Sequence, residues 1–287
     1  MKSLFYERKR KMKLGATVDL FSCFGDEKFK KMKEYGFDYA DYDLDGVLGD
    51  KTEEEYEAAV LADKALADEA GVTIHQIHGH WRYPPHDETE ELREERAEFM
   101  RRSIRLAGKI GCKYWVIHML MPFGANDGGI NDEAFLKINL DFFCKLLPYA
   151  KENGVTICLE NMPMELLTYS PTAKTLEIIH LINDESFKLC FDTGHEAIFG
   201  NVGDAIRLAG KDLCTLHIHD NDGKRDLHRF VGMGVIDWSD FMAAIREINF
   251  DGVLSLEVVD NREFFPFASN DTRIGILKLL FDQIVNT

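Results

Sequence analysis

Short apolar runs alternate with longer amphipathic segments along this chain, and the alternation repeats eight times. The apolar runs have the length of buried strands, and the segments between them repeat their apolar residues with the period of a helix. The predicted strands cover residues 14–20, 39–44, 72–77, 114–118, 155–160, 187–192, 213–219 and 253–258. The predicted helices cover residues 26–35, 52–70, 88–110, 132–153, 172–182, 202–209, 237–248 and 272–285.

This order of elements predicts the fold class. Strands that alternate with helices indicate a parallel α/β sheet, and eight such units indicate closure into a (β/α)₈ TIM barrel. We expect a single domain over residues 12–287, because α/β barrels of this length are common and no low-complexity linker divides the chain. A doubly wound open sheet is the alternative. Residues 1–11 are predicted to be a basic, flexible leader, since no apolar segment of a secretory signal follows the basic residues.

Charge and cysteine content narrow the possible partners. The formal net charge of −16 opposes binding to polyanionic nucleic acid. No stretch reaches the roughly 18 apolar residues that a membrane helix needs. The six cysteines are scattered without C-x-x-C spacing, which favours free thiols in a reducing compartment. We therefore expect a cytoplasmic protein with no nucleic-acid or membrane partner, and a homo-oligomer remains open.

Side chains of the metal-binding type stand at the ends of the last four predicted strands. These strands end with Glu160, with Asp192, with His217 and His219, and with Glu257. The carboxyl ends of the strands are where α/β barrels build their active sites. Burying three carboxylates together is unfavourable unless a cation offsets their charge. The pattern therefore predicts a metal site, although the residues alone leave the choice between His217 and His219 open.

The donor set limits the metal and has structural alternatives. Carboxylate oxygens with one imidazole suit one divalent ion, Mg²⁺ or Mn²⁺, and the histidine extends the range to Co²⁺ or Zn²⁺. We favour Mn²⁺. Each residue also has a structural interpretation: Glu160 can pair with a neighbouring strand, Asp192 can cap the Asp-Thr-Gly turn, and a lone histidine is more often structural. The four residues together favour the metal site.

Six segments of the sequence carry a resemblance to a known family. They are Leu159-Glu160-Asn161, Phe191-Asp192-Thr193-Gly194-His195, His217-Ile218-His219-Asp220-Asn221, Asp226-Leu227-His228, Gly232-Met233-Gly234-Val235-Ile236-Asp237-Trp238 and Leu256-Glu257. Together they resemble the xylose isomerase-like barrels, and among these the sugar phosphate isomerase/epimerase group. The resemblance covers nearly the whole chain from Met12 onward. Its motifs are specific for the superfamily and not for a substrate.

The resemblance implies a role for each matching residue. It implies that Glu160, Asp192, His217 and Glu257 hold the metal, which selects His217 over His219. It also implies that Glu160 and Glu257 transfer the proton in catalysis. It implies that His195 contacts substrate oxygens, and we expect His118, His228 and Asn161 to bind substrate as well.

The function implied by the resemblance is that of a metal-dependent sugar isomerase or epimerase. Such an enzyme transfers a proton at a carbon next to a metal-bound carbonyl of a ketose or similar polyol. The expected partner is thus a small sugar or polyol. Few lysines or arginines stand near the strand ends, and this scarcity favours an unphosphorylated substrate. Lys224 and Arg225 offer one candidate site for a phosphate. Aromatic residues of the loop 81–86 and Phe123 are candidates for stacking on the sugar.

Three other functions stay open. The first is a metal-dependent lyase on a keto-sugar or inosose, either a dehydratase or an enzyme that cleaves a carbon–glycoside bond. The second is an endonuclease IV-like phosphodiesterase with three zinc ions, against which the net charge argues. The third is a non-catalytic sugar-binding barrel. The extra ligands that the nuclease would need are present as His78, His118, His195, Asp226 and His228.

Overall fold

Strands and helices alternate along the chain as the hydrophobic pattern predicts. The structure, a computed structural model, describes residues 12–44, 51–80, 89–121, 131–259 and 262–287. The strands are β1 (Lys13–Thr17), β2 (Tyr39–Asp43), β3 (Thr73–His78), β4 (Tyr114–Ile117), β5 (Thr156–Glu160), β6 (Phe187–Asp192), β7 (Leu213–His217) and β8 (Val253–Leu256). The helices are α1 (Lys28–Glu34), α2 (Glu53–Ala70), α3 (Glu90–Lys109), α4 (Asp132–Glu152), α5 (Thr172–Ile182), α6 (Thr193–Ala197), α7 (Val202–Ala209), α8 (Trp238–Glu247) and α9 (Asn270–Val285).

The strands close into a ring. Within the described residues, eight parallel strands form one sheet in the order β7-β6-β5-β4-β3-β2-β1-β8. Ile218, directly after β7, makes a parallel bridge to Leu256 at the end of β8 and so joins the two edges. The fold is therefore the predicted (β/α)₈ TIM barrel in a single domain, and not an open sheet. The leader at 1–11 lies outside the described residues.

The apolar core lies between the strands and the outer helices. Trp115 on β4, Phe143 on α4 and Phe241 on α8 are fully buried in this layer. Because side chains alternate along a strand, the opposite face of each strand points into the barrel. There the side chains are small or polar, as with Gln76 on β3 and Thr215 on β7, which are at most 1% exposed. The helix–sheet layer supplies the apolar burial and leaves the interior to polar chemistry.

Element ends differ from the prediction where capping and turns intervene. β1 ends at Thr17 and not at 20, because 3₁₀ turns occupy Val18–Glu27, with Gly25 at a φ of +56° between them. The predicted strand at 213–219 ends at His217, and the one at 253–258 ends at Leu256. The helix α6, which has only five residues, is absent from the prediction. It begins after Asp192, whose side chain accepts a hydrogen bond from His195 N.

The helix lengths and the state of the cysteines bear on membrane insertion and on disulfide bonding. None of the described helices has the length and apolar character needed to span a bilayer. All six cysteines are free thiols, and Cys112, Cys158 and Cys190 are buried.

One buried carboxylate shapes the long loop between β7 and α8. Asp220 is fully buried, directly beyond the carboxyl end of β7. Its oxygens accept hydrogen bonds at 3.0–3.3 Å from Asn221 N, Gly232 N, Ile236 N and the indole Nε1 of Trp238. A Cβ at Gly234 would lie 2.2 Å from Asp220 Oδ1, so a side chain there would displace the loop from the carboxylate. Asp220 thus fixes the loop that carries Asp226 and His228.

We expect Asp220→Ala to destabilise the protein by about 2–4 kcal/mol, because it leaves several buried donors without an acceptor. Urea unfolding followed by circular dichroism measures this loss. Asp222→Ala in the same loop is the matched control. Asp222 pairs with the exposed Arg225 at 2.6 Å, so its loss should cost less than about 1 kcal/mol. Equal losses in the two variants would contradict the role of Asp220.

Candidate metal centre

Four potential metal ligands meet at the carboxyl end of the barrel. Glu160, Asp192 and His217 are the last residues of β5, β6 and β7, and Glu257 directly follows β8. One ligand atom from each lies within 4.8 Å of the other three. The parallel register explains the convergence, since Asp192 pairs with His217 across β6 and β7. The first three side chains are at most 1% exposed, whereas that of Glu257 is 26% exposed.

Glu160 is the common member of several ligand groups. Its Oε1 lies 2.8 Å from His217 Nδ1, and its Oε2 lies 3.2 Å from His118 Nε2 and 3.4 Å from His78 Nε2. Burial opposes ionisation, but the charge and hydrogen bond of His217, together with the nearby imidazoles, hold the pKa of Glu160 well below its usual value. Glu160 is therefore ionised and surrounded by imidazoles.

Glu257 has a different electrostatic environment. Its Oε2 lies 3.2 Å from His217 Nδ1 and 3.8 Å from His228 Nδ1. Burial raises the pKa of Glu257, and the charges of His217 and His228 offset this only in part. The two glutamates therefore differ. Glu160 is surrounded by three imidazoles, whereas Glu257 faces the open cavity and has a raised pKa.

Asp192 has a capping role and a site role at once. Its Oδ1 accepts from His195 N at 2.7 Å and caps α6, as the turn interpretation predicted. Its Oδ2 lies 3.0 Å from His219 Nε2. The Thr193 hydroxyl stabilises this arrangement by donating a hydrogen bond to the His219 carbonyl at 2.7 Å. A Cβ at Gly194 would lie 2.0 Å from the His219 ring. The Asp-Thr-Gly-His motif thus makes room for His219 beside the carboxylate.

A second ligand group borders the first. It comprises His195, His219, Asp226 and His228, whose ligand atoms also lie within 4.8 Å of one another. Asp226 lies 3.3 Å from His195 Nε2 and 3.2 Å from His228 Nε2. Burial lowers the pKa of His195, but Asp192 and Asp226 outweigh it and raise that pKa to about 10. The His219 and His228 rings are stacked, with centroids 4.1 Å apart.

A third group lies on the opposite side of Glu160. It comprises His78, His118 and Glu160 itself, again within 4.8 Å. The Nε2 atoms of the two histidines are 3.3 Å apart. The central ligand set shares Glu160 with this third group, and its Asp192 lies 3.0 Å from His219 of the second group, so the three groups adjoin one another.

The array opens into a cavity of about 370 Å³. Glu160, Glu257 and the histidines line one part of it, and Thr17, Asp19, Asp41 and Asp43 line another. Of the described residues that line this cavity, none is a lysine or an arginine. The cavity has room for a small polar molecule, and one of its walls is strongly acidic.

These residues fit a divalent metal ion. Glu160 Oε2 and Glu257 Oε2 are buried atoms without a hydrogen-bond partner, although both belong to a carboxylate that would ordinarily be fully bonded when buried. Carboxylate oxygens and an imidazole nitrogen are donors for Mn²⁺, Mg²⁺, Co²⁺ or Zn²⁺. A cation among them would satisfy these oxygens and offset their mutual repulsion.

The predicted substrate-binding residues have unequal positions. His118, His195 and His228 line the cavity. Asn161 is fully buried, and its Nδ2 and Oδ1 bond to the carbonyl and amide of Asp192 at 3.0 and 2.8 Å. Its side chain therefore joins β5 to β6 and holds Asp192, and its expected contact with substrate stays a prediction.

The two cations of the candidate phosphate site are not part of the described cavity wall. Neither Lys224 nor Arg225 is among the described cavity-lining residues, and Arg225 pairs with Asp222 at 2.6 Å. The loop 81–86 and Phe123 lie outside the described residues.

The sequence interpretation missed the acidic wall formed by Asp41 and Asp43 on β2 and by Asp19 in the 3₁₀ turns after β1. Asp41 and Asp43 alternate with Ala40 and Tyr42 in β2, so both carboxylates point to the same face. That alternation was a readable signal. Asp19 could not be found in this way, because it lies in the 3₁₀ turns that replace the end of the predicted strand.

Two solved structures with a similar fold superpose on nearly the whole chain. A D-tagatose 3-epimerase-like protein superposes with a TM-score of 0.76 and 23% identity, covering 96% of this chain and 98% of its own. The IolI protein with a bound zinc atom gives a TM-score of 0.76 and 21% identity over 96% and 98%. At these identities the likeness establishes the fold.

Curated relatives match parts of the chain. An uncharacterized protein, MJ1311 of Methanocaldococcus jannaschii, is 32% identical over 42% of this chain and 42% of its own. Inosose isomerase of Bacillus subtilis is 28% identical over 52% and 55%. A "Probable endonuclease 4" of Haloarcula marismortui is 24% identical over 68% and 72%. The matches to the first two thus span only about half of each relative.

The family assignment rests on a longer match. Residues 29–276 fit the family model described as "Xylose isomerase-like TIM barrel", and this segment contains all four residues of the central ligand set. Since the match extends over most of the chain, the protein belongs to the family of xylose isomerase-like TIM barrels.

Proposed function

We propose that this protein is a divalent-metal-dependent sugar isomerase or epimerase that acts on a ketose or a related polyol. The observation that carries the proposal is the convergence of Glu160, Asp192, His217 and Glu257 at the mouth of the barrel, beside a cavity of about 370 Å³. The relative named inosose isomerase and the epimerase-like solved neighbour support the reaction class. The zinc atom of another neighbour supports a metal cofactor.

The residues of the site suit proton transfer next to a carbonyl. A divalent ion bound by the four ligands would supply Lewis-acid polarisation of the carbonyl. Glu257 is the better placed proton acceptor, because its carboxylate is partly open to the cavity and burial raises its pKa. Glu160 is the partner carboxylate on β5. Return of the proton to the same carbon on its opposite face gives an epimer, and return to the neighbouring carbon gives the aldose–ketose isomer.

The remaining polar residues would bind and orient the substrate. His118, His195 and His228 line the cavity and can bond to hydroxyl groups. Carboxylates on β2 and in the 3₁₀ turns can accept hydrogen bonds from hydroxyls, while they repel phosphate. The proposed substrate is therefore unphosphorylated.

Metal binding is the first test. Asp192→Asn should reduce bound Mn²⁺ or Zn²⁺ after dialysis by about 10-fold or more, since one charged ligand is lost. Metal analysis of the purified protein measures it. Asp204→Asn is the control, because Asp204 is 80% exposed and pairs with Arg207. An unchanged metal content in Asp192→Asn would overturn the ligand assignment.

Proton transfer is the second test. The Mn²⁺-loaded protein, incubated in deuterated water with a panel of ketoses and inososes, should incorporate deuterium at carbon next to the carbonyl. Glu257→Gln, assayed at saturating Mn²⁺, should slow exchange by about 10²–10⁴-fold. Glu185→Gln, at a residue 94% exposed, should exchange like the wild type. Metal binding without exchange on any substrate would contradict the mechanism and favour a sugar-binding barrel.

The same incubation separates an isomerase from a lyase. An isomer or epimer keeps the mass of the substrate apart from incorporated deuterium. A product that has lost one water would identify a dehydratase acting on a keto-sugar or inosose. Mass spectrometry of the reaction mixture distinguishes the two.

A second candidate function is a phosphodiesterase with three metal ions. The observation that favours it is the pair of flanking ligand groups around His118 and His228, together with the relative named "Probable endonuclease 4". The acidic cavity wall and the net charge of −16 oppose a polyanionic substrate. Three ions would offset much of that charge.

Metal stoichiometry decides between the candidates. We expect one tightly bound ion per chain, and His228→Ala should leave that count unchanged because the central ligands stay intact. Elemental analysis with Zn²⁺ and Mn²⁺ gives the count. Three zinc ions per chain, with cleavage of a duplex that contains an abasic site, would replace the isomerase proposal by the nuclease.

A further inference from the structure

We propose that Asp41 is a positioning residue that orients the His217 ring and keeps the proton on its Nε2, so that Nδ1 is free to bind the metal ion. The inference rests on the proposed function, because it assumes that the central ligand set binds a divalent ion. It assigns a role to a buried carboxylate on the side of the barrel opposite the ligands.

His217 stands between carboxylates on both of its nitrogen atoms. Nδ1 lies 2.8 Å from Glu160 Oε1 and 3.2 Å from Glu257 Oε2, on the side of the ligand set. Nε2 lies 3.1 Å from Asp41 Oδ2, on the other side of the ring. A neutral imidazole has one proton for these two positions. The carboxylates therefore compete to decide which nitrogen carries it.

The competition matters for metal binding. A histidine binds a metal ion through an unprotonated nitrogen, and its other nitrogen donates its proton to a neighbouring acceptor. If Nδ1 carried the proton, it would donate to Glu160 and could not be a ligand. A negative charge at Asp41 favours the proton on Nε2. Asp41 thus selects the tautomer that leaves Nδ1 available.

Asp41 is itself held in place across the barrel. It is 3% exposed on β2, and its Oδ2 accepts from Gln76 Nε2 of β3 at 2.7 Å. Gln76 Nε2 also lies 3.4 Å from the carbonyl of Leu216, the residue before His217. His217 Nε2 and Asp41 Oδ2 approach to 3.1 Å without the alignment of a hydrogen bond, so the charge of Asp41 contributes to the interaction. Gln76 therefore fixes the distance between β2 and the backbone next to the ligand.

The test compares metal affinity in variants of this contact. Asp41→Leu removes the acceptor with little change in volume, and Asp41→Asn keeps an oxygen acceptor but removes the charge. We expect the dissociation constant for Zn²⁺, measured by competition with a chromogenic chelator, to rise about 10- to 100-fold in Asp41→Leu and less in Asp41→Asn. Asp204→Asn is the control, since it also replaces an aspartate by asparagine, at a residue that is 80% exposed and pairs with Arg207. It should keep the wild-type affinity within about threefold.

Nitrogen-15 NMR of histidine side chains gives a second readout that a merely structural residue would not change. In the Zn²⁺-loaded wild type, His217 should carry its proton on Nε2.

Gln76→Met leaves Asp41 intact but removes the hydrogen bond that anchors it. The affinity of this variant for Zn²⁺ should also fall, by a smaller factor than in Asp41→Leu. This variant also serves if Asp41→Leu fails to fold.

The outcomes distinguish a failure of the positioning role from a failure of the proposed function. A wild type that binds Zn²⁺ with unchanged affinity in both Asp41 variants would overturn the positioning role and leave the proposed function standing. A proton on Nδ1 of His217 in the zinc-loaded protein would also overturn it. A wild type that binds no divalent ion would overturn the proposed function itself, and the inference with it.

Discussion

Mutual repulsion among closely spaced carboxylates is the constraint on which the whole site depends. Glu160, Asp192, Asp226 and Glu257 approach one another at the mouth of the barrel, and each lies within 4 Å of at least one imidazole. In a medium of low polarity, isolated carboxylates would take up protons. The histidines hold Glu160 and Asp226 ionised, and a divalent ion among the carboxylates would act in the same direction.

The closed barrel is what makes such a concentration of charge compatible with folding. The apolar layer between strands and helices contains the large aromatic side chains, so the interior need not supply hydrophobic burial. Strands that are far apart in the sheet order face one another inside the ring. Asp41 on β2 can therefore reach His217 on β7, a contact that an open sheet in this order would not allow.

One layout of ligands allows more than one chemistry, because the number of bound ions changes the charge of the cavity. With a single ion, the acidic wall formed by Asp19, Asp41 and Asp43 favours neutral hydroxylated substrates. With ions also in the groups around His118 and His228, a phosphate could be accommodated. The contrast between Glu160, enclosed by imidazoles, and Glu257, partly open to the cavity, fits the first case, in which one carboxylate moves a proton.

The sequence by itself determined the barrel and the convergence of four potential metal ligands at its mouth. The alternation of strands and helices follows from local hydrophobic periodicity, and Glu160, Asp192, His217 and Glu257 stand at or next to the strand ends, where a parallel sheet must bring them together. Only the tertiary structure decided that Asn161 holds Asp192, that His219 joins the second ligand group, and that Asp41 faces His217. The contacts of Asn161 and His219 with Asp192 and of Asp41 with His217 join residues 27 to 176 positions apart, and local pattern carries no information on contacts at such separations.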